Sequence, residues 1–165
     1  MAALDRTTYF MEIARAAAAR STCPRASVGA VLTLDNSVIA TGYNGAPKGL
    51  DHCDDEGCVL EKSPDGRQRC IRTVHAELNA LLQGLRRGSV AGSVLYVTHS
   101  PCLECAKAII NAGVGSVVFD LSYHEPRAGL IGYFVPGVES GAGVETTEGL
   151  LEAAGVATRW FHDLV

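Results

Sequence analysis

The chain is 165 residues long and 47% hydrophobic, with six cysteines and 14 Lys plus Arg against 18 Asp plus Glu, a formal net charge of -4. That length and apolar fraction support one domain, residues 1–165, with its own core. An acidic balance without a basic run speaks against a polynucleotide partner and for a small-molecule substrate. Charges at Asp5, Arg6, Glu12 and Arg15 interrupt the first residues, so neither a signal peptide nor a membrane span is read there and a cytoplasmic setting is expected.

Residues 4 to 20 place Leu4, Tyr9, Phe10, Ile13, Ala14 and Ala17 mostly on one helical stripe, ended by Ser21, Cys23 and Pro24. Val28 to Leu34 and Val38 to Tyr43 read as a hairpin turned at Asp35, Asn36 and Ser37. From Asn44 to Arg72 the periodicity lapses over a length that marks a functional or locally stapled segment. Val74, Leu78, Leu81, Leu82 and Leu85 then recur at helical spacing before Gly88. "SVLYVT" reads as a buried strand, "PCLECAKAIINAG" as a helix opened by Pro101 and closed by Gly113, and "SVVFD" as another strand. After a Gly- and Pro-containing segment from Ser122 to Gly143, a helix is expected near Glu145 to Ala154 and a last strand near Val156 to Phe161. This order predicts a three-layer α/β domain whose three late strands, joined through helices, are parallel. Ligands of such units lie beyond the carboxyl ends of the strands, where Thr98 to Cys102 falls.

In a reducing compartment cysteines serve as metal or catalytic thiolates rather than disulfides. "VHAEL" opens one predicted helix and "SPCLEC" the next, so His75, Cys102 and Cys105 stand at the first turns of two helices that can pack side by side. Three ligands of nitrogen and sulfur leave one tetrahedral position of a Zn²⁺ for water, the layout of a catalytic site, and helix N-termini favour the thiolate. Glu77, two residues beyond His75, can face that water without ligating and carry protons. A lone C-x-x-C serves a disulfide or redox pair equally well, and a lone H-x-E is common by chance. Their conjunction is specific: H-x-E followed by P-C-x-x-C is the signature of zinc nucleobase deaminases.

At these residues the chain resembles the deoxycytidylate (dCMP) deaminase family, within the cytidine deaminase-like superfamily. The likeness runs from Cys23 to Asp120 through "VGAVLTLDNSVIATGYNGAPKGLDHC", "CIRTVHAELNAL" and "LYVTHSPCLECAKAIINAGV". "TGYNGAPKG" separates it from tRNA adenosine deaminases and free-cytidine deaminases. The resemblance implies a cytidine deaminase-like fold, a five-stranded mixed sheet with helices on both faces. It implies zinc-dependent hydrolysis of dCMP to dUMP and ammonia, feeding thymidylate synthesis, by a homo-oligomer that reaches a hexamer in some members. It further implies Asn44 as a sugar-hydroxyl contact, and Gly42, Tyr43, Gly45 and Arg86 as contacts for a regulatory dCTP or dTTP. Local sequence alone reads Asn44 and Gly45 as a turn and Arg86 as a helix-end charge.

A monophosphate needs donors, for which Arg25 and Tyr123 are the candidates, with Lys48 and Arg127 behind them; each can equally be a surface residue. Cys23, Cys53, Cys58 and Cys70 can close a second, structural Zn²⁺ that orders the irregular segment, with His52 able to replace one thiolate; independent thiols are the alternative. His99, His124 and His162 read as ordinary histidines. The run from Ser122 to Leu151 departs from the family and leaves open a lid, a subunit contact or a pocket for a modified pyrimidine nucleotide. Two other readings stand beside the leading one: a deaminase of another substrate (cytidine, guanine, a pterin, modified dCMP, tRNA adenosine), or a zinc-binding module without activity. The intact Glu77 argues against the inactive module.

Overall fold

The computed structural model describes residues 3–62, 68–121 and 146–165. Helix α1 (Arg6–Ala18) begins at Asp5, whose carboxylate accepts the Thr8 amide, and it buries Phe10, Met11, Ala14 and Ala18. The buried stripe therefore includes Met11 but not the expected Leu4 and Tyr9, which are 61% and 50% exposed. Leu4 precedes the first helical turn, and Tyr9 lies about 100° round the helix from Phe10.

Strands β1 (Gly29–Leu34) and β2 (Ser37–Tyr43) form the expected antiparallel hairpin. Its turn is only Asp35 and Asn36, at φ 48° and 60°, the left-handed pair that a two-residue hairpin turn requires, so Ser37 already belongs to β2. The stretch expected to be irregular contains α2 (Cys53–Glu56), a single helical turn, and the strands β3 (Leu60–Lys62) and β4 (Gln68–Cys70), which pair as a separate two-stranded sheet. Their sequences, LEK and QRC, are almost fully exposed and carry no apolar alternation, so periodicity had no signal to detect.

There follow α3 (Ala76–Leu85), β5 (Val94–His99), α4 (Leu103–Asn111), β6 (Ser116–Leu121), α5 (Thr147–Ala153) and β7 (Ala157–Trp160), with a final 3-10 turn at Phe161–Asp163. The five-stranded sheet has the order β2-β1-β5-β6-β7. β1 is antiparallel to both neighbours, whereas β5, β6 and β7 are parallel, as their helical connections demand. Successive residues face opposite sides: Leu32, Leu95, Val97, Val117 and Phe119 join the core under α3, α4 and α5, while Val31, Tyr96 and Val118 pack toward α1. The three-layer α/β arrangement with helices on both faces is thus present.

Two glycines set how closely helices approach the sheet. A Cβ on Gly29 would stand 1.9 Å from the Ala14 carbonyl oxygen of α1, and one on Gly42 would stand 2.2 Å from the Ala76 carbonyl oxygen of α3. On α3 the buried face is Ala76, Glu77, Ala80, Leu81 and Gly84. Leu82 and Leu85, expected on the core stripe, are 59% and 50% exposed, because small residues rather than leucines fill the close contact with β2. At the far end of β6, Asp120 accepts from Arg15 Nη2 at 2.7 Å and faces His162 Nε2 at 2.9 Å, tying α1 and the C-terminal turn to the sheet. Residues 122–143, with Tyr123, His124 and Arg127, lie outside the described residues.

Candidate active site

His75 and Cys102 are the N-cap residues of α3 and α4, both in extended backbone conformation. A capping side chain normally turns inward to bond the first amides; neither of these does, so imidazole and thiol are left to face each other. Cys105 lies one turn into α4. Packing of α3 beside α4 brings the three together although 27 and 30 residues separate His75 from the two cysteines. His75 Nδ1 is 3.4 Å from Cys102 Sγ and 3.5 Å from Cys105 Sγ. Nitrogen and sulfur ligands of a tetrahedral zinc, about 2.0–2.3 Å from the ion, stand about 3.5 Å from one another, so these donors fit zinc in both kind and spacing.

Cys102 and Cys105 are 8% and 0% exposed. Hydrogen bonding from Cys105, together with the neighbouring His75, holds Cys102 down to about 4 and makes it the thiolate of the pair; Cys105 is pushed upward by its bond to that thiolate and by burial. Glu77, in the first turn of α3, is 4% exposed and shares a hydrogen bond with Cys105, so its carboxyl faces the donor cluster. Burial raises it from 4.5 to about 7, against the pull of His75.

Asn44 is buried at 5%. Its Oδ1 accepts the Val28 amide at 2.8 Å and its Nδ2 donates to the Ala26 carbonyl at 2.8 Å, which fixes the orientation of the amide. Its carbonyl also accepts the Thr22 amide. The side chain is therefore more than a turn residue: it clamps the segment between α1 and β1 that carries Arg25. Asn44→Ala takes its partner from the half-buried Val28 N–H, while the exposed Ala26 carbonyl keeps the Ser21 hydroxyl at 3.2 Å, so the expected loss is about 1–3 kcal/mol, all of it from the Val28 side. Thermal unfolding checks it, and an unchanged melting temperature would contradict the clamp. Arg25 is exposed and donates to the Gln68 carbonyl at 2.8 Å.

Gly42, Tyr43 and Gly45 line a cavity of about 440 Å³ together with Lys48, Asn79 and Gln83. Arg86 does not line it; that residue caps the C-terminus of α3 and is exposed. Asn79, which the sequence reading missed, donates to the Tyr43 carbonyl at 2.8 Å and Gln83 accepts the Thr41 amide at 3.1 Å, so the wall of this cavity is stapled from α3 to the edge strand. Only their position on the face of α3 turned toward β2, unknown before folding, distinguishes them from other polar helix residues.

Cys53, Cys58 and Cys70 have their sulfurs within 4.8 Å of one another, and Cys53 Sγ to Cys70 Sγ is 3.8 Å. Two thiolates on one zinc, each at about 2.3 Å, stand about 3.8 Å apart, so this group also fits a metal. Cys23 is buried and lies outside that trio, though close enough for its charge to act on Cys58. His52 is not a member: its Nδ1 is 3.0 Å from Thr22 Oγ1. Thr73, unnoticed in the sequence, bonds Cys70 at 3.4 Å. All six cysteines are free.

The model of the cytidine and deoxycytidylate deaminase zinc-binding region matches residues 4–121. The chain is 47% identical over 116 residues to ComE operon protein 2 of Bacillus subtilis, across 70% of this chain and 59% of that protein. It is 43% identical over 122 residues to the deoxycytidylate deaminase of Mycobacterium phage D29, across 70% of this chain and 94% of that one. The chain thus spans 59% of the length of its Bacillus relative and nearly all of the phage protein. The crystal structure of dCMP deaminase from cyanophage S-TIM5 in complex with dCMP and dUMP has the same fold, with a TM-score of 0.68 at 28% identity over 97% of this chain and 99% of that chain. Both metal motifs lie inside the matched stretch and meet in space as that family's zinc chemistry requires: the chain belongs to the cytidine and deoxycytidylate deaminase family.

Proposed function

We propose that the protein is a zinc-dependent hydrolase converting dCMP to dUMP and ammonia in pyrimidine nucleotide metabolism. The observation that carries this reading is an imidazole–dithiol cluster of zinc dimensions with the buried Glu77 carboxyl turned toward it. The phage D29 and S-TIM5 relatives, both deaminases of dCMP, support the substrate.

His75, Cys102 and Cys105 would hold zinc, which when bound supplies the Lewis acidity that brings the ionisation of water near neutral pH. Glu77 takes the proton of the attacking water and passes it to the ring nitrogen beside the amino-bearing carbon. It then assists departure of the amino group: a carbon–oxygen bond replaces a carbon–nitrogen bond, and ammonia leaves. A carboxyl brought to about 7 by burial suits a group that must both accept and return a proton near neutrality. The enclosure of Cys102, Cys105 and Glu77 keeps competing solvent from those protons.

Arg25 and Tyr123 meet the phosphate in this reading and Asn44 the sugar hydroxyl, while its bonds to Val28 and Ala26 hold the Arg25 segment in place. The cavity beside Lys48 takes a regulatory dCTP or dTTP; its volume of about 440 Å³ is of nucleotide size. Cys53, Cys58 and Cys70 hold a second, structural zinc, with Cys23 as the nearest fourth thiol. The exposed Leu82 and Leu85 of α3 and Val38 of β2 support self-association into a homo-oligomer, up to a hexamer. Six free cysteines suit the cytoplasm, and among the described residues no helix is long and apolar enough to cross a membrane.

The test is one absorbance assay with zinc quantified, comparing dCMP, CMP, deoxycytidine and 5-substituted dCMP, with and without dCTP. Turnover of dCMP, little turnover of deoxycytidine and two zinc ions per chain are the expected results. Equal rates on dCMP and deoxycytidine would remove the phosphate contacts. A single zinc per chain would remove the outer metal, and no turnover of dCMP by zinc-loaded protein would end the proposal.

A further inference from the structure

The outer thiol cluster is joined to the substrate segment by direct contacts. Arg25 Nη2 donates to the Gln68 carbonyl at 2.8 Å, two residues before Cys70 on β4. Thr22 Oγ1 lies 3.0 Å from Nδ1 of His52, the neighbour of Cys53. The Thr73 hydroxyl reaches Cys70 at 3.4 Å and Cys53 at 3.7 Å. Val74, the next residue, exchanges backbone hydrogen bonds of 2.9 and 3.1 Å with Gly45. Access differs between the clusters: Cys70 and Cys58 are only partly buried and open to a small oxidant, with Cys53, 2% exposed, behind Cys70, whereas Cys102 and Cys105 are both enclosed. β4 pairs with β3 outside the five-stranded sheet, so it can shift without breaking that sheet's ladder.

We propose that Cys53 and Cys70 are a reversible oxidation site: a hydroperoxide joins their sulfurs in a disulfide, and closure loosens the segment that presents Arg25. The sulfurs, 3.8 Å apart, already face each other. A disulfide needs them at about 2.05 Å, a movement the short strand β4 can absorb. One thiolate attacks the peroxide oxygen–oxygen bond, giving a sulfenic acid and hydroxide; the other thiolate then displaces a second hydroxide as the sulfur–sulfur bond forms. Two electrons leave the sulfurs and reduce one hydrogen peroxide to two hydroxides, and two metal donors are lost with them. Gln68 travels with Cys70, its carbonyl draws away from Arg25, and the guanidinium loses its anchor.

This inference rests on the deaminase reading for its kinetic readout and on the outer zinc for its metal readout. The full chain, with zinc measured, is treated with hydrogen peroxide and mapped by non-reducing peptide mass spectrometry. Zinc release is followed with a chromogenic chelator, and KM and kcat for dCMP are measured before oxidation, after it, and after dithiothreitol. The expected result is a Cys53–Cys70 disulfide, release of one zinc, and KM raised about tenfold with kcat retained, the scale of one lost charge-assisted contact to phosphate. Dithiothreitol with zinc restores KM, and in Arg25→Ala the disulfide forms without a further rise. A Cys58–Cys70 or Cys102–Cys105 disulfide in its place, or the Cys53–Cys70 bond with KM unchanged, overturns the proposal. If the untreated protein does not turn over dCMP, the deaminase reading fails, and the mapped disulfide and released zinc still decide whether the oxidation site exists.

Discussion

Glu77→Gln is expected to turn over dCMP about 10²- to 10⁴-fold more slowly than the parent, the usual worth of a positioned general acid–base, with zinc content unchanged. The amide keeps the shape of the side chain in a site only 4% exposed, so packing at the start of α3 is preserved. It cannot accept the proton of water, so the first proton transfer loses its base and becomes slow. The proposed ligands His75, Cys102 and Cys105 are untouched, so the metal is expected to stay. Steady-state kinetics and metal analysis on the same preparation check both halves. A variant that lost zinc along with activity would make Glu77 a ligand or a structural support instead of the proton carrier.

Gly42→Ala should damage the site through packing alone. The added methyl would stand 2.2 Å from the Ala76 carbonyl oxygen and 2.5 Å from the Ala80 amide, both backbone atoms that no rotamer change can move aside. Overpacking of this kind costs about 1–3 kcal/mol, and each kcal/mol lowers the melting temperature of a chain this size by about 2–4 °C. The strand pushes on the first turn of α3, between His75 and Glu77 on one side and the rest of the helix on the other. A displacement of about 1 Å in a reacting group can cost about 10²-fold in rate, so zinc affinity and kcat should fall together at temperatures where the variant is folded. Gly29→Ala is the control: its methyl would meet Ala14 of α1, on the opposite face of the sheet, at 1.9 Å. It should be destabilised as much, yet bind zinc normally once folded. Calorimetry and zinc titration of the two proteins separate the cases. Equal zinc affinity in both would show that Gly42 serves stability without positioning the metal residues.

Several features were legible in the chain before folding. The hairpin, the alternation of later strands with helices, and the two metal motifs at helix starts all rest on local spacing, which backbone geometry converts directly into direction. Where the reading missed, the cause was distance in sequence, an excess of apolar residues or a lack of them. Leu82 and Leu85 keep helical period yet face outward, since the periodicity of α3 cannot say that Ala76, Ala80 and Gly84 are the side chosen by β2. The β3–β4 hairpin has too little apolar character to announce itself, although it carries Cys70.

By itself the sequence determined the chemistry of the donors: an imidazole, two thiols three residues apart at a helix start, and an acid two residues beyond the imidazole, none of which changes character on folding. Only the tertiary structure decided which of them meet. It placed α3 beside α4, so that donors 27 and 30 residues apart came within 3.5 Å. It gathered Cys53, Cys58 and Cys70 while leaving Cys23 at their margin, and it tied the amide of Asn44 to the backbone of residues 26–28. Those outcomes depend on close contacts between distant elements, through glycines and small side chains, and no local pattern encodes which surfaces will touch.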